Sequence, residues 1–377
     1  MSQETATEPK RWHGRRHVRA SVLLSLLLVL AAAFLAARAW RARSQPNSQL
    51  HAARPVNRDA QELYLQGKHF LTHRGGATRE TQMESVALFE KAIEKDPSFA
   101  LAYAGLASAY NGMAHSEVLN YIEAFSKAKI AAKKALEINP NLAEAHAALA
   151  DTLVELDWDW SDAGTEFRRA IDLDANSPLV HFAYARYLAK LARFPEAIAE
   201  ANIGLQLDPT SLVAYHMVAY CNYGARQYDK GLEEIGKAAE LNLISPNSYI
   251  HWDIGILYLQ KNKLQKAIGE FRTLGDLSTP TVLGFLGNAY ARAGQRSEAL
   301  QSISNLKEFV ANEGIGTYEI ALVYTGIGCK DDAFSWLEKS YKLRDKNITY
   351  LLFEPALDSL RSDLRFRDLV RRVGLPD

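Results

Sequence analysis

His146-Ala147-Ala148-Leu149, His181-Phe182-Ala183-Tyr184, His216-Met217-Val218-Ala219 and His251-Trp252-Asp253-Ile254 open four similar phrases, each 35 residues after the last. That interval decides the fold class. Small residues follow a second ruler: Ala185 with Ala197, Ala219 with Gly231, Gly255 with Ala267, Gly287 with Ala299 and Ala321 with Ala333 are each twelve positions apart. In a helical hairpin such a pair marks where one backbone approaches the other. Units of this length stack into solenoids, because no unit can bury its apolar face alone.

An aromatic stands three residues after the first small residue in Ala107/Tyr110, Gly255/Tyr258, Gly287/Tyr290 and Ala321/Tyr324. Second helices carry Phe89 with Ala92 and Phe167 with Ala170. Pro97, Pro140 and Pro209 close the phrases Lys-Asp-Pro, Ile-Asn-Pro and Leu-Asp-Pro, where a proline stops the helix and turns the chain. Together these elements resemble the tetratricopeptide repeat. The resemblance implies a right-handed, all-α solenoid of about eight units between Asp59 and roughly Leu343, on a period of about 34. The first two units are irregular, with extra residues around Gly75 to Thr81 and Ala114 to Ile122.

At 377 residues a compact fold divides into two or three domains, but an array in which each unit touches only its neighbours escapes that limit. Composition, 48% hydrophobic and 23% charged, is that of an ordinary helical protein. Net charge is zero but uneven: residues 1–43 hold eight Lys/Arg against Glu4 and Glu8, leaving 36 Lys/Arg against 42 Asp/Glu beyond. A mildly acidic array is a poor nucleic-acid partner, and none is expected.

From Ala20 to Ala37 the chain carries no charge, a length suited to a bilayer core. Lys10, Arg11, Arg15, Arg16 and Arg19 precede it, Arg38, Arg41 and Arg43 follow it, and Trp12 and Trp40 flank it. The expectation is a basic tail (1–19), a transmembrane helix (20–40), a linker (41–56), the repeat array (57–344) and capping helices (345–377). Five basic residues against three predicts a cytoplasmic N-terminus, with the repeats periplasmic or extracellular. A cleaved signal peptide ending at Ala37-Arg38-Ala39 is the competing reading.

The phrases Asn57 to Gly67, Trp158-Asp159-Trp160 and Leu360 to Phe366 are similar to the repeat halves of bacterial membrane-bound regulators. In those families the repeats follow a winged-helix, TolB-like or kinase domain. The 19 residues before the apolar run are too few for such a domain, so only the array and its protein-binding role carry over.

No enzyme, metal or cofactor is expected. Cys221 and Cys329 lie in different repeats without ligand spacing, and read as small hydrophobes. One zinc ion cannot span the histidine ladder, since helices pack about 8–10 Å apart and ligands lie near 2 Å from the metal. The histidines read as half-buried packing residues, with pH sensing as the alternative. Asp157 and Asp159 sit at a turn, where acids favour the next helix start.

The first helices of such repeats line the concave face, and the register places there Glu144, Asp151, Phe182, Arg186, His216, Tyr220, Tyr223, Tyr249, Trp252, Asn288, Arg292 and Tyr318. Aromatic and Arg side chains dominate binding hot spots. Phe182, Arg186, His216, Tyr220, Tyr223, Tyr249, Trp252 and Asn288 therefore form the candidate partner groove. Its occupant is an unidentified protein or peptide, with membrane contact through the N-terminal helix. The alternative is a ligand-sensing subunit that signals through that helix and the basic tail. Leu357, Leu360, Leu364, Phe366 and Leu369 alternate with arginines, which suits end-capping helices or a basic membrane-surface helix.

Overall fold

The computed structural model describes residues 57–72, 79–244, 248–275 and 279–376, all within one unit, Val56–Asp377. Eight helix pairs follow one another: α1 (Arg58–Thr72) and α2 (Arg79–Lys95), α3 (Ala100–His115) and α4 (Tyr121–Ile138), α5 (Ala143–Thr152) and α6 (Trp160–Leu173), α7 (Pro178–Lys190) and α8 (Phe194–Leu207), α9 (Leu212–Gly224) and α10 (Tyr228–Glu240), α11 (Ile250–Gln260) and α12 (Leu264–Thr273), α13 (Pro280–Arg292) and α14 (Arg296–Glu313), then α15 (Thr317–Ile327) and α16 (Lys330–Leu343). Two 3₁₀ turns, Lys346–Tyr350 and Pro355–Leu360, lead to α17 (Leu364–Val373). There is no strand among the described residues.

Local chemistry sets the helix starts. Asn120, Asp159 and Thr279 accept backbone N–H groups at the N-termini of α4, α6 and α13, and prolines open α7 and α13. The turn inside each of repeats 2 to 8 contains one residue of left-handed backbone: Glu117, Trp158, Ala192, Arg226, Asn262, Gly294 and Gly328. Only the last two are glycines. The other five bear a strain of about 1 kcal/mol or more each, which the packed hairpin must over-determine.

The small-residue pairs lie fully buried in the hairpins, Ala185 with Ala197 and Ala321 with Ala333 among them. At Gly231 an added Cβ would come within 3.3 Å of the Ala219 carbonyl oxygen, a backbone approach between α9 and α10. At Gly255 it would meet the Phe271 ring at 2.5 Å, so there an aromatic of α12 fills the space that glycine leaves.

Three histidines of the ladder join the two helices of their own pair. His146 Nδ1 meets Glu166, His181 meets Glu200 and His251 meets Glu270, at 2.5, 2.6 and 2.7 Å. His146 and His181 also place Nε2 on the carbonyls of Pro140 and Ala175, which fixes the preceding turn. His216 departs from the pattern, because the corresponding place on α10 is occupied by buried Ile235. It reaches instead to Asp253 in the next repeat, at 2.8 Å.

The superhelix closes on itself. Thr281 at the start of α13 donates to Glu117 of repeat 2 at 2.7 Å, and Tyr121 donates to the Arg344 carbonyl after α16 at 2.9 Å.

The expected membrane topology is corrected by the helices. Among the described residues no helix is long and apolar enough to cross a membrane. The longest, α4 and α14, have 18 residues each but are crossed by charges such as Glu123, Lys133, Glu298 and Lys307, as amphipathic hairpins require. The expected span 20–40, its tail and its linker lie outside the described residues. Placement of the repeats on the far side of a membrane is withdrawn.

Candidate functional site

The inward positions of the first helices form a charged and aromatic surface along the superhelix. Asp151 of α5 and Arg186 of α7 stand 35 residues apart and pair through both carboxylate oxygens, at 2.9 and 3.0 Å. His115 of α3 approaches the same carboxylate at 2.8 Å. Burial pushes the Asp151 carboxyl up, but Arg186 and His115 outweigh it and hold the group well below the usual carboxylate range. Burial, with Arg186 nearby, lowers the His115 imidazole despite Asp151. Beside this set Glu155 pairs with Lys190, again 35 residues on, and both are almost wholly buried.

His115, Asp151 and Glu155 bring ligand-type atoms within 4.8 Å of one another. Arg186 and Lys190 already supply the positive charge there, so the donor set works as an ion network and not as a cation cage.

The surface is covered by the protein's own chain. After α16 the segment Asp345 to Leu360 runs into the superhelix and crosses the first helices of repeats 2, 4 and 5. The Lys346 ammonium donates to the carbonyls of Ala114 and His115, at 2.9 and 3.4 Å. Lys190 donates to the Thr349 hydroxyl at 2.9 Å and lies 4.0 Å from the centre of the Tyr350 ring. Phe353 stacks on Tyr220, with centroids 4.3 Å apart, and touches Tyr223 at 5.8 Å. The Tyr223 hydroxyl donates to Glu354 at 2.5 Å, and Arg226 holds Asp358 at the same distance. Burial pushes the Glu354 carboxyl up to about 7, against the hydrogen bond from Tyr223. At Gly224 the fit is so close that a Cβ would fall 2.4 Å from the Phe353 ring. Beyond the segment, α17 rests on α16 through Arg365 with Asp331 and Arg372 with Glu338.

The structure distributes the expected groove residues unevenly. Tyr220 and Tyr223 meet the covering segment directly, and Arg186 is committed to Asp151. Phe182 turns into its own hairpin, against Gly204 of α8. His216 contacts Tyr249 edge-on at 5.3 Å, and Trp252 sits edge-on to Phe285 at 5.7 Å. Asn288 donates to the Leu322 carbonyl at 2.6 Å. The Tyr249 hydroxyl, the Trp252 indole N–H and the Asn288 carbonyl oxygen are buried and have no hydrogen-bond partner in the protein. Of the other residues read as inward, Asp151 pairs with Arg186, and Arg292 donates to Gln260, whose side chain donates to the Tyr223 hydroxyl.

Sequence reasoning missed Glu155, Lys190, Phe353 and Glu354. The opposite charges Asp151/Arg186 and Glu155/Lys190 repeat the 35-residue interval of the histidines, and that signal was available. The run Leu351-Leu352-Phe353, too apolar for a solvated connection, was the other.

No family model matches the chain. The transcriptional regulator HilA of Salmonella typhimurium is 23% identical over 263 residues, which cover 68% of this chain and 45% of the regulator. HilA of Salmonella typhi aligns to the same extent. The chain thus spans less than half the length of these curated relatives. Among solved structures, that of the APC/C hetero-tetramer Cut9–Hcn1 superposes with a TM-score of 0.55 at 15% identity, over 85% of this chain and 57% of that one. Yeast Tom70 gives a TM-score of 0.44 at 16% identity, over 95% of this chain and 78% of its own.

Proposed function

We propose that this chain, whose fold is that of the tetratricopeptide-repeat proteins, is a protein-interaction scaffold that holds peptide segments on the inner surface of its superhelix. One observation carries the reading: that surface already holds a polypeptide segment, Asp345 to Leu360, by side-chain contacts spaced along repeats 2, 4 and 5. The contacts define a preference. An aromatic side chain seats on Tyr220, an acid following it takes the Tyr223 hydroxyl, and a second acid four residues later takes Arg226. The buried polar atoms of Tyr249, Trp252 and Asn288, unpaired within the protein, extend the groove and supply further donors and acceptors. A partner peptide of the same pattern competes with the resident segment for these places, which Arg186 and His216 flank, while Phe182 supports them from inside its own hairpin.

The test is direct. A labelled peptide of residues 346–361 is titrated into the full chain and into Phe353→Ala/Asp358→Ala, which weakens the resident segment. Binding to the double variant, absent with a scrambled peptide and lost when Tyr220→Ala is added, supports the groove. Failure of the double variant to bind the peptide rejects it.

A further inference from the structure

A second polar centre lies at the start of the covering segment, away from Tyr220 and Tyr223, where superhelix closure brings repeat 2 against repeats 7 and 8. A cavity of about 300 Å³ opens between Ala114–Tyr121, Pro280, the turn from Glu313 to Glu319, and the first residues of the covering segment, Asp345 to Asn347. Three carboxyl groups line it, Glu117, Glu319 and Asp345, with Lys346 as the buried cation and Arg79 and Glu313 at the rim.

The hydrogen bonds can be followed group by group. Asp345 is used on both oxygens: Oδ2 accepts from the Thr317 hydroxyl at 2.8 Å and the Tyr318 N–H at 3.4 Å, and Oδ1 from the Asn347 N–H at 3.0 Å. Lys346 is spent on the Ala114 and His115 carbonyls and on Glu117 Oε1 at 3.3 Å. Glu117 Oε1 also accepts from Thr281, and Glu319 Oε1 accepts from the Asn347 side chain at 2.6 Å. The remaining oxygens, Oε2 of Glu117 and Oε2 of Glu319, are buried without a partner, and Glu319 as a residue is 1% exposed. A buried, unpaired carboxylate oxygen costs on the order of 1–3 kcal/mol or more. Burial, with Asp345 and Glu117 close by, pushes the Glu319 carboxyl well up, so the group holds a proton that an incoming cation would replace.

The ligand chemistry follows from spacing and walls. Among the described residues these acids do not bring their oxygens within 4.8 Å as a set, so they do not converge on a point of ionic size. Separate acceptors fit a cation with several N–H donors, an ammonium or a guanidinium. Val118, Leu119, Pro280 and Ile315 give the cavity apolar walls that suit an alkyl stem. We infer that this pocket binds a small aliphatic amine or guanidine, its cationic head held by Glu117 Oε2 and Glu319 Oε2. The inference does not rest on peptide binding in the groove. Since Asp345 to Asn347 form one wall, the ligand ties the start of the covering segment to repeats 2, 7 and 8.

Isothermal titration of the full chain with agmatine and with putrescine tests the site; tetramethylammonium, which has no N–H, and calcium chloride serve as controls. Saturable one-to-one binding of either probe is expected, weakened at least tenfold in Glu319→Gln and in Glu117→Gln. Affinity also rises with pH, because proton and ligand compete for Glu319 among Glu117, Asp345, Lys346, Arg79 and Glu313. The Gln variants keep the shape of the protonated acid, and Glu117, whose side chain is 11% exposed against the fully enclosed Glu319, keeps the test valid should Glu319→Gln misfold. The assignment is overturned if neither probe saturates, if a folded Gln variant binds like wild type, or if a control displaces the probe equally well.

Discussion

Phe353 lies flat on Tyr220, rings 25° from parallel and 4.3 Å apart, although 133 positions of chain separate them. The contact joins the end of the chain to the middle of the array. It also sets what each half of the contact is worth.

Phe353 is 2% exposed, and Gly224, Phe194 and Tyr223 enclose it with Tyr220. Phe353→Ala is expected to destabilise the chain by about 3–5 kcal/mol, the range for a large aromatic lost from a packed site. Phe353→Leu should cost less than half of that. Urea denaturation followed by circular dichroism measures both, and equal losses would contradict the enclosed site.

The Lys190–Glu155 pair is 1% and 2% exposed on its side chains, so neither charge has water to fall back on. Lys190→Met leaves Glu155 buried and unpaired, at an expected cost of about 3–5 kcal/mol. Lys190→Met with Glu155→Leu should recover most of the loss. A double variant no better than the single one would show that the pair is not coupled.

Glu354 carries a pH signature. Burial raises its carboxyl to about 7, so the folded chain retains a proton that the unfolded chain releases at the ordinary glutamate value. Stability from this group is fully present below the unfolded value and is lost as pH rises through about 7. Glu319 and Asp345 are raised in the same direction. Wild-type stability is therefore expected to fall from pH 5 to pH 8, and Glu354→Gln to remove on the order of 2 kcal/mol of that fall. Melting curves across the range decide it.

At His181 the sign is set by a different group. Burial pushes the imidazole down, but the Glu200 carboxylate and the Ala175 carbonyl raise it overall. The clamp's stability is fully present below the unfolded histidine value and is lost as pH rises through the folded one. Glu200→Gln should cost about 1 kcal/mol at pH 6 and clearly less at pH 8.5. The same cost at both pH values would remove histidine charge from the account.

The hairpins were legible because their signals are local and repeat. Small residues twelve apart, an aromatic three after the first and a proline after the second helix all act within one unit. The histidine interval marked the same units, and its break at His216 follows from one residue, Ile235, in place of an acid. Tyr220 and Tyr223 were legible as inward-facing, since register alone puts them on the first helices. Their contact with Phe353 and Glu354 was not, because those residues lie more than 130 positions away and have no repeat counterpart. Residues 345–360 read as part of an amphipathic cap. The 3₁₀ turns instead bury Ile348, Leu351, Leu357 and Leu360 completely, while Leu364, expected on the apolar face, is 73% exposed.

An open array of repeats can unzip from either end, one interface at a time. The bonds from Thr281 to Glu117 and from Tyr121 to Arg344 remove one of those ends: repeat 8 cannot peel away without also breaking contacts at repeats 2 and 3. Fraying is thereby confined to the first hairpin, α1 and α2, and the rest must open together. Amide exchange should accordingly be fast in that hairpin and nearly uniform from α3 to α17, the behaviour of a globule built from a linear plan.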